Sequence, residues 1–141
     1  MSIEKVANPF HRPDVAKLIV RVTCGGLLIL HGSHSAIHGI DHVKEMVSRV
    51  GLPGFMAYGN LVGEVIAPLF MIAGYRARIA ALVVAFNMIM SILIAHRDIL
   101  FSRNDFGGWM IELNILYLMT AIAVFFMGAG RYSLSSRAKW D

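Results

Sequence analysis

Four apolar stretches, each close to the length of a bilayer crossing, alternate along this chain with short polar segments. They run from about Lys17 to Ile37, Ala57 to Tyr75, Ile79 to His96 and Trp109 to Met127, each near the roughly 20 residues needed to cross a hydrocarbon core of about 30 Å. The pattern predicts an all-α integral membrane protein, a four-helix transmembrane bundle forming one domain over residues 17–128. It leaves an N-terminal segment 1–16 and a tail 129–141. No small-residue cleavage pattern follows the first apolar run, which is therefore read as a retained helix rather than a signal peptide. Between Gly39 and Pro53 the residues Val43, Met46, Val47 and Val50 keep an i, i+3, i+4, i+7 spacing, with Asp41 placed to cap the start and Gly51 to end it. That spacing predicts a short helix lying on the membrane interface, or more sharply a lid. Arg97 to Gly108 reads as a polar loop.

Composition agrees with this class. The chain is 57% hydrophobic and 16% charged, with a mean hydropathy of +0.63, against an apolar share of roughly 45–50% in soluble domains. The net charge of +4 does not point to nucleic acid, because the basic residues sit at the ends of apolar runs rather than in one patch. Nine of them (Lys5, Arg12, Lys17, Arg21, Arg76, Arg78, Arg131, Arg137, Lys139) fall on the side of the termini, and four (Lys44, Arg49, Arg97, Arg103) on the other. By the positive-inside rule both termini are cytoplasmic, in a bacterial inner membrane. Tyr58 and Trp109 mark the outer interface, Tyr75 and Tyr132 the inner one, and Arg21 reads as an anchor snorkelling to the inner face. The single cysteine, Cys24, allows neither an internal disulfide nor a CxxC pair.

The candidate chemistry lies in ionisable residues set within the apolar stretches. An acid or base at the centre of a membrane helix costs about 2.5–3.5 kcal/mol on the insertion scale, so such residues pair, face a cavity or work. At about 1.5 Å per residue, His31 lies roughly 20 Å from the inner end of the first helix and Glu64 roughly 10 Å from the outer end of the second, which is one level in a core of about 30 Å. His34 and His38 climb the same face of the first helix, while His96 and Glu112 close the third stretch and open the fourth near the outer surface. Asn60 stands one turn before Glu64. His31, His34 and Glu64 are the catalytic candidates. The pocket adds His38, Asn60, His96 and Glu112, and a metal set would draw on His31, His34, Glu64, His96 and Glu112. His42 is left outside, because Gly39 and Ile40 are expected to break the helix. Asn87 and Ser91 read as contacts between helices, and Gly59 and Gly63 as a GxxxG pair permitting close helix approach.

Histidine and glutamate from several helices suit a transition metal or a haem iron, although no span carries the Glu-x-x-His pair of di-iron bundles. The same groups suit hydrogen bonds to the carbonyls of a quinone, with Glu64 and one histidine moving protons. No nucleotide fingerprint, nucleophilic serine motif or flavin-binding glycine loop is present.

The run LIVRVTCGGLLILHG, then GLPGFMAYGNLVGEVIAPLFMIAGYRARIAAL, His96 and finally GAGRYSL resemble the DoxX family of small four-helix bacterial inner-membrane proteins. The likeness extends over about residues 17 to 135 and rests on the order of Arg21, His31 with Gly32, the GLP before the second span, Glu64, and the turn from Gly128 to Arg131. Many relatives carry a lysine four residues after the histidine of the HG motif, where this chain has Ser35. The resemblance implies membrane electron or quinone chemistry: members are linked to thiosulfate oxidation with electrons passed to quinone, to membrane-associated oxidoreductase assemblies, and to protection against oxidative or thiol stress. The family is also similar in outline to the vitamin K epoxide reductases, whose thiol relay Cys24 alone cannot reproduce.

The leading expectation is a redox-associated membrane protein with an outer-leaflet His/Glu pocket for quinone, a metal or haem. The alternative is a non-catalytic membrane anchor for a soluble oxidoreductase. A carrier of small solutes or metal ions is weakened by the lack of a polar path through the inner leaflet. Expected partners are the lipid bilayer, a soluble oxidoreductase and a second copy of the chain, with no nucleic acid.

Overall fold

A computed structural model describes residues 11–135. The assignments made for 1–10 and 136–141, with Lys5, Arg137 and Lys139, lie outside the described residues. Among the described residues the regular structure is helical apart from one isolated antiparallel bridge, Arg103 to Trp109. Helix α1 covers Pro13–His38, α2 Asp41–Arg49, α3 Gly54–Ala73, α4 Ala77–Ala95 and α5 Glu112–Met127. Helices α1, α3 and α4 are long and apolar enough to cross a membrane. Helix α5 is equally apolar but has 16 residues, a rise of about 24 Å. It starts three residues later than the hydropathy predicts because Trp109 is held in the preceding loop, bridged to Arg103 and donating its indole N–H to the Leu100 carbonyl.

Local chemistry explains the boundaries. Pro13 opens α1, where a missing N–H and a fixed φ cost nothing. Asp41 does not cap α2: it stands inside the first turn, with Lys44 Nζ at 3.2 Å from its carboxylate. Helix α3 carries a π-turn at Val62–Ile66, closed by Ala67 N–H to the Val62 carbonyl. Pro68 lies just beyond it, and its lack of an N–H deprives the Glu64 carbonyl, four residues back, of its usual donor. The widened turn accommodates that loss and re-aims the Glu64 side chain. Helix α3 ends in a Schellman turn, with Tyr75 N–H to the Phe70 carbonyl at 3.0 Å and Gly74 N–H to the Met71 carbonyl at 3.2 Å.

The core is the seam where α1, α3, α4 and α5 meet. Leu28, Met71, Ala81, Val84, Ala121 and Val124 are fully enclosed there. Ala80, Ala81, Ala85 and Ala121 keep α4 and α5 close. A smaller cluster of Ile40, Val47 and Ala57, flanked by Leu61 and Ile94, holds α2 against the start of α3 and the end of α4. Outward, Ile19, Leu30, Phe86, Leu93, Leu116 and Phe126 are each more than half exposed. A continuous apolar exterior of this kind is what lipid demands and water penalises.

Arg21 does not snorkel. It is fully buried, and its guanidinium donates to the carbonyls of Met71 (3.0 Å), Ile72 (3.2 Å) and Tyr132 (2.5 Å). It therefore closes the carboxyl end of α3 and ties α1 to the segment after α5. Leu134 N–H to the Ala73 carbonyl at 3.1 Å and Arg78 Nη1 to the Phe125 carbonyl at 2.8 Å complete the lock at this end of the bundle.

Candidate functional site

At the opposite end the helices splay around a cavity of about 780 Å³, within the range of roughly 300–1,000 Å³ usual for small-ligand sites. Helix α1 contributes His31, His34 and Ser35 to its wall, α2 His42, Val43, Met46 and Val47, α3 Asn60, Val62 and Glu64, and α4 Phe86, Asn87, Met90 and Ser91, with His96 at the rim. The wall is largely apolar and its polar groups converge on Glu64.

Glu64 is buried at 5% exposure and accepts a hydrogen bond from Asn60 Nδ2 at 3.0 Å. The Asn60–Glu64 pair is the one expected from their spacing of one turn. His31 and His42 both lie close enough to act electrostatically on the carboxylate. Two glycines bring these groups together. A Cβ on Gly32 would stand 2.7 Å from Glu64 Cβ and 3.0 Å from the Glu64 carbonyl oxygen, so only glycine lets α1 touch the π-turn here. Gly63 lies directly against the Asn87 side chain, which is how α4 approaches α3; Gly59, its GxxxG partner, meets open space. Asn87 Nδ2 is enclosed, a donor close enough to interact with the Glu64 carboxylate.

The other histidines divide. His34 lines the cavity. His38 does not: its ring stacks on His34 at 4.5 Å, and its Nδ1–H donates to the His34 carbonyl at 3.1 Å on the exposed face. His96 lines the rim and donates Nδ1–H to the Ser91 carbonyl at 3.2 Å, which leaves Nε2 as an acceptor in the neutral ring. Glu112 stands apart from the cavity, exposed in the first turn of α5 and packed beside Gly108 and Asn104. An acid there complements the helix dipole. Among the described residues no group of three or more His, Cys, Asp or Glu could hold a metal ion, so the set His31, His34, Glu64, His96 and Glu112 is not gathered as one.

Four polar lining residues were not expected: His42, Asn87, Ser35 and Ser91. His42 enters because Gly39, at φ +90°, reverses the chain and folds α2 back over the opening; its place four residues after His38, continuing the step from His34 to His38, is the signal in the sequence. Asn87, read as a helix contact, serves both ends of its side chain: its carbons meet Gly63 and its amide faces the polar group. Ser35, four residues after His31, is buried and also lines the wall.

An all-helical chain with an apolar exterior and one polar cavity at the loop-side end defines a helical membrane protein. The DoxX family profile matches residues 16–97, and the chain belongs to the DoxX family. The matched segment runs from α1 to the end of α4 and contains every residue of the cavity wall. The chain is 27% identical over 116 residues to the Bacillus subtilis (strain 168) protein described as "Putative oxidoreductase CatD", covering 82% of this chain and 81% of the relative. No solved structure matches it.

Proposed function

We propose that this protein is a four-span bacterial inner-membrane protein, both termini cytoplasmic, whose outer-leaflet cavity binds the ring of a quinone for a membrane redox reaction. The nine-to-four distribution of basic residues supports the orientation. In it, α5 makes the fourth crossing and α2 lies at the outer interface. The description of the Bacillus relative as an oxidoreductase supports the reaction class. The observation that carries the reading is that Glu64, Asn60, Asn87 and His31 all line one largely apolar cavity, whose other polar residues are His34, Ser35, His42, Ser91 and His96. A planar ring with carbonyl oxygens fits such a wall: Asn87 Nδ2, enclosed near Glu64, has a second N–H to donate to one oxygen, and an imidazole N–H donates to another. Quinone chemistry couples electron uptake to proton uptake. Glu64 and His31 exchange the protons, with His42 and His34 relaying them towards the aqueous face under α2. A metal or haem centre receives less support, since no ligand set is gathered among the described residues.

The test is purification in mild detergent, with extractable quinone and visible spectrum measured on one sample. Retained quinone that is lost in Glu64→Gln and His31→Leu, at unchanged helicity, supports the proposal. No retained quinone, and no binding of added quinone, refutes it. The second reading, a membrane anchor for a soluble oxidoreductase, draws on Phe101 and Phe106, which stand 93% and 99% exposed on the loop between α4 and α5. Exchanging both for serine separates the two, because an anchor loses its partner while a quinone site keeps its ligand.

A further inference from the structure

A second opening, of about 240 Å³, follows the α3–α4 seam and shares Val62 and Val83 with the main cavity. Beyond those two residues its wall is Ile66, Phe70 and Ile79, ending at Arg76 in the turn between the helices. From Val62 to Phe70 it follows α3 for about 12 Å. Val62 and Val83, where the two openings adjoin, stand on the same helices as Glu64 and Asn87 and within about one turn of them, so a ligand whose head meets Glu64 has its shortest apolar way out along this groove. We infer that the groove takes the hydrocarbon tail of the ligand whose ring lies in the cavity, so that the site is built for a long-tailed membrane quinone rather than a small soluble ring; this rests on the function proposed above. Lipid chains are as apolar as the groove, so a tail moving from bilayer to groove gains little affinity. The groove acts by shape: it gives the tail an exit at the depth of the head group, and closing it excludes tailed ligands while sparing tail-less ones.

Ile66 and Ile79 line the groove and not the main cavity and are about half exposed, at 46% each. Ile66 closes the π-turn that holds Glu64, so Ile79, on α4, is the cleaner site, and binding of a tail-less ring reports whether the Glu64 site is intact in each variant. Binding of a tail-less dimethoxybenzoquinone and of the same ring carrying a decyl chain is measured on the full chain in lipid nanodiscs, in the native protein and in Ile66→Trp and Ile79→Trp. The expected result is at least tenfold weaker binding of the decyl ring in both variants, with binding of the tail-less ring unchanged. A diazirine at the end of the decyl chain should label the Ile66–Ile79 region of the native protein and be displaced by the tail-less ring. Equal binding of the decyl ring in native and variant proteins, or labelling that the tail-less ring does not displace, overturns the inference and marks the groove as a site of ordinary bilayer lipid. Failure of either ring to bind the native protein, or equal binding to Glu64→Gln, instead refutes the quinone site itself.

Discussion

The two ends of this bundle bury polar groups in opposite ways. At the end where α1 begins and α5 stops, Arg21 is fully enclosed and three backbone carbonyls take up its guanidinium N–H groups, leaving only Nε without a partner. At the other end Glu64 accepts from Asn60, the enclosed Asn87 amide lies near the same carboxylate, and both border an open cavity. Burial of an ionisable residue in an apolar helix is common to both. What separates a fastening from a site is whether the protein's own backbone saturates the group or leaves hydrogen-bonding capacity facing space.

That contrast is open to direct attack. The largest effect is expected from Arg21→Leu, which strips the Ile72 and Tyr132 carbonyls of their donor and leaves the Met71 carbonyl with Gly74 N–H alone at the closed end. At roughly 1–3 kcal/mol for each unsatisfied buried group, it should cost several kcal/mol, seen as a large fall in Tm in detergent. A near-native Tm would show that Arg21 is not the fastening. Next comes Gly32→Ala, whose added Cβ meets Glu64 Cβ at 2.7 Å. Forcing α1 from the π-turn should cost about 1–3 kcal/mol and weaken ligand binding as well. Its control is Gly26→Ala, where nothing lies within 4 Å and helix propensity should raise stability slightly.

Glu64→Gln reverses the pattern of Arg21→Leu. Ligand binding should weaken about three- to tenfold, the equivalent of one neutral hydrogen bond of roughly 0.5–1.5 kcal/mol from the Glu64 carboxyl to a quinone oxygen, while Tm stays level or rises. A fall in Tm with binding retained would make Glu64 a second fastening. His42→Ala should weaken binding only about threefold, as for one neutral hydrogen bond near 0.5–1 kcal/mol. Smallest of all is Glu45→Ala on the outer face of α2, which breaks an exposed pair with Arg49 at 2.7 Å. Its effect on unfolding should stay below about 0.5 kcal/mol, and a larger one would mean that α2 is held by its charges rather than by Val47 and Ile40.

Read along the chain alone, Arg21 and Glu64 look alike: each is one charge inside an apolar run. The depth argument places Glu64 and His31 at one level because helix rise and bilayer thickness are constants, and in the structure both line the same cavity. Depth says nothing about azimuth. His38 and Glu112 share the level of the cavity's upper wall yet face elsewhere, His38 onto the exposed side of His34 and Glu112 onto the Gly108 loop. His42 fails the depth argument and still reaches the cavity, since a reversal at Gly39 carries it back.

The sequence by itself determined the solvent, the class and the rough limits of the helices, because these follow from apolar length, proline and glycine placement and the cost of burying backbone polar groups in lipid. The π-turn before Pro68, the fit of Gly32 against Glu64 and the capture of Arg21 by carbonyls fifty and more residues away were decided only in the tertiary structure. They depend on which faces of packed helices meet and at what distance, and no single helix carries that information.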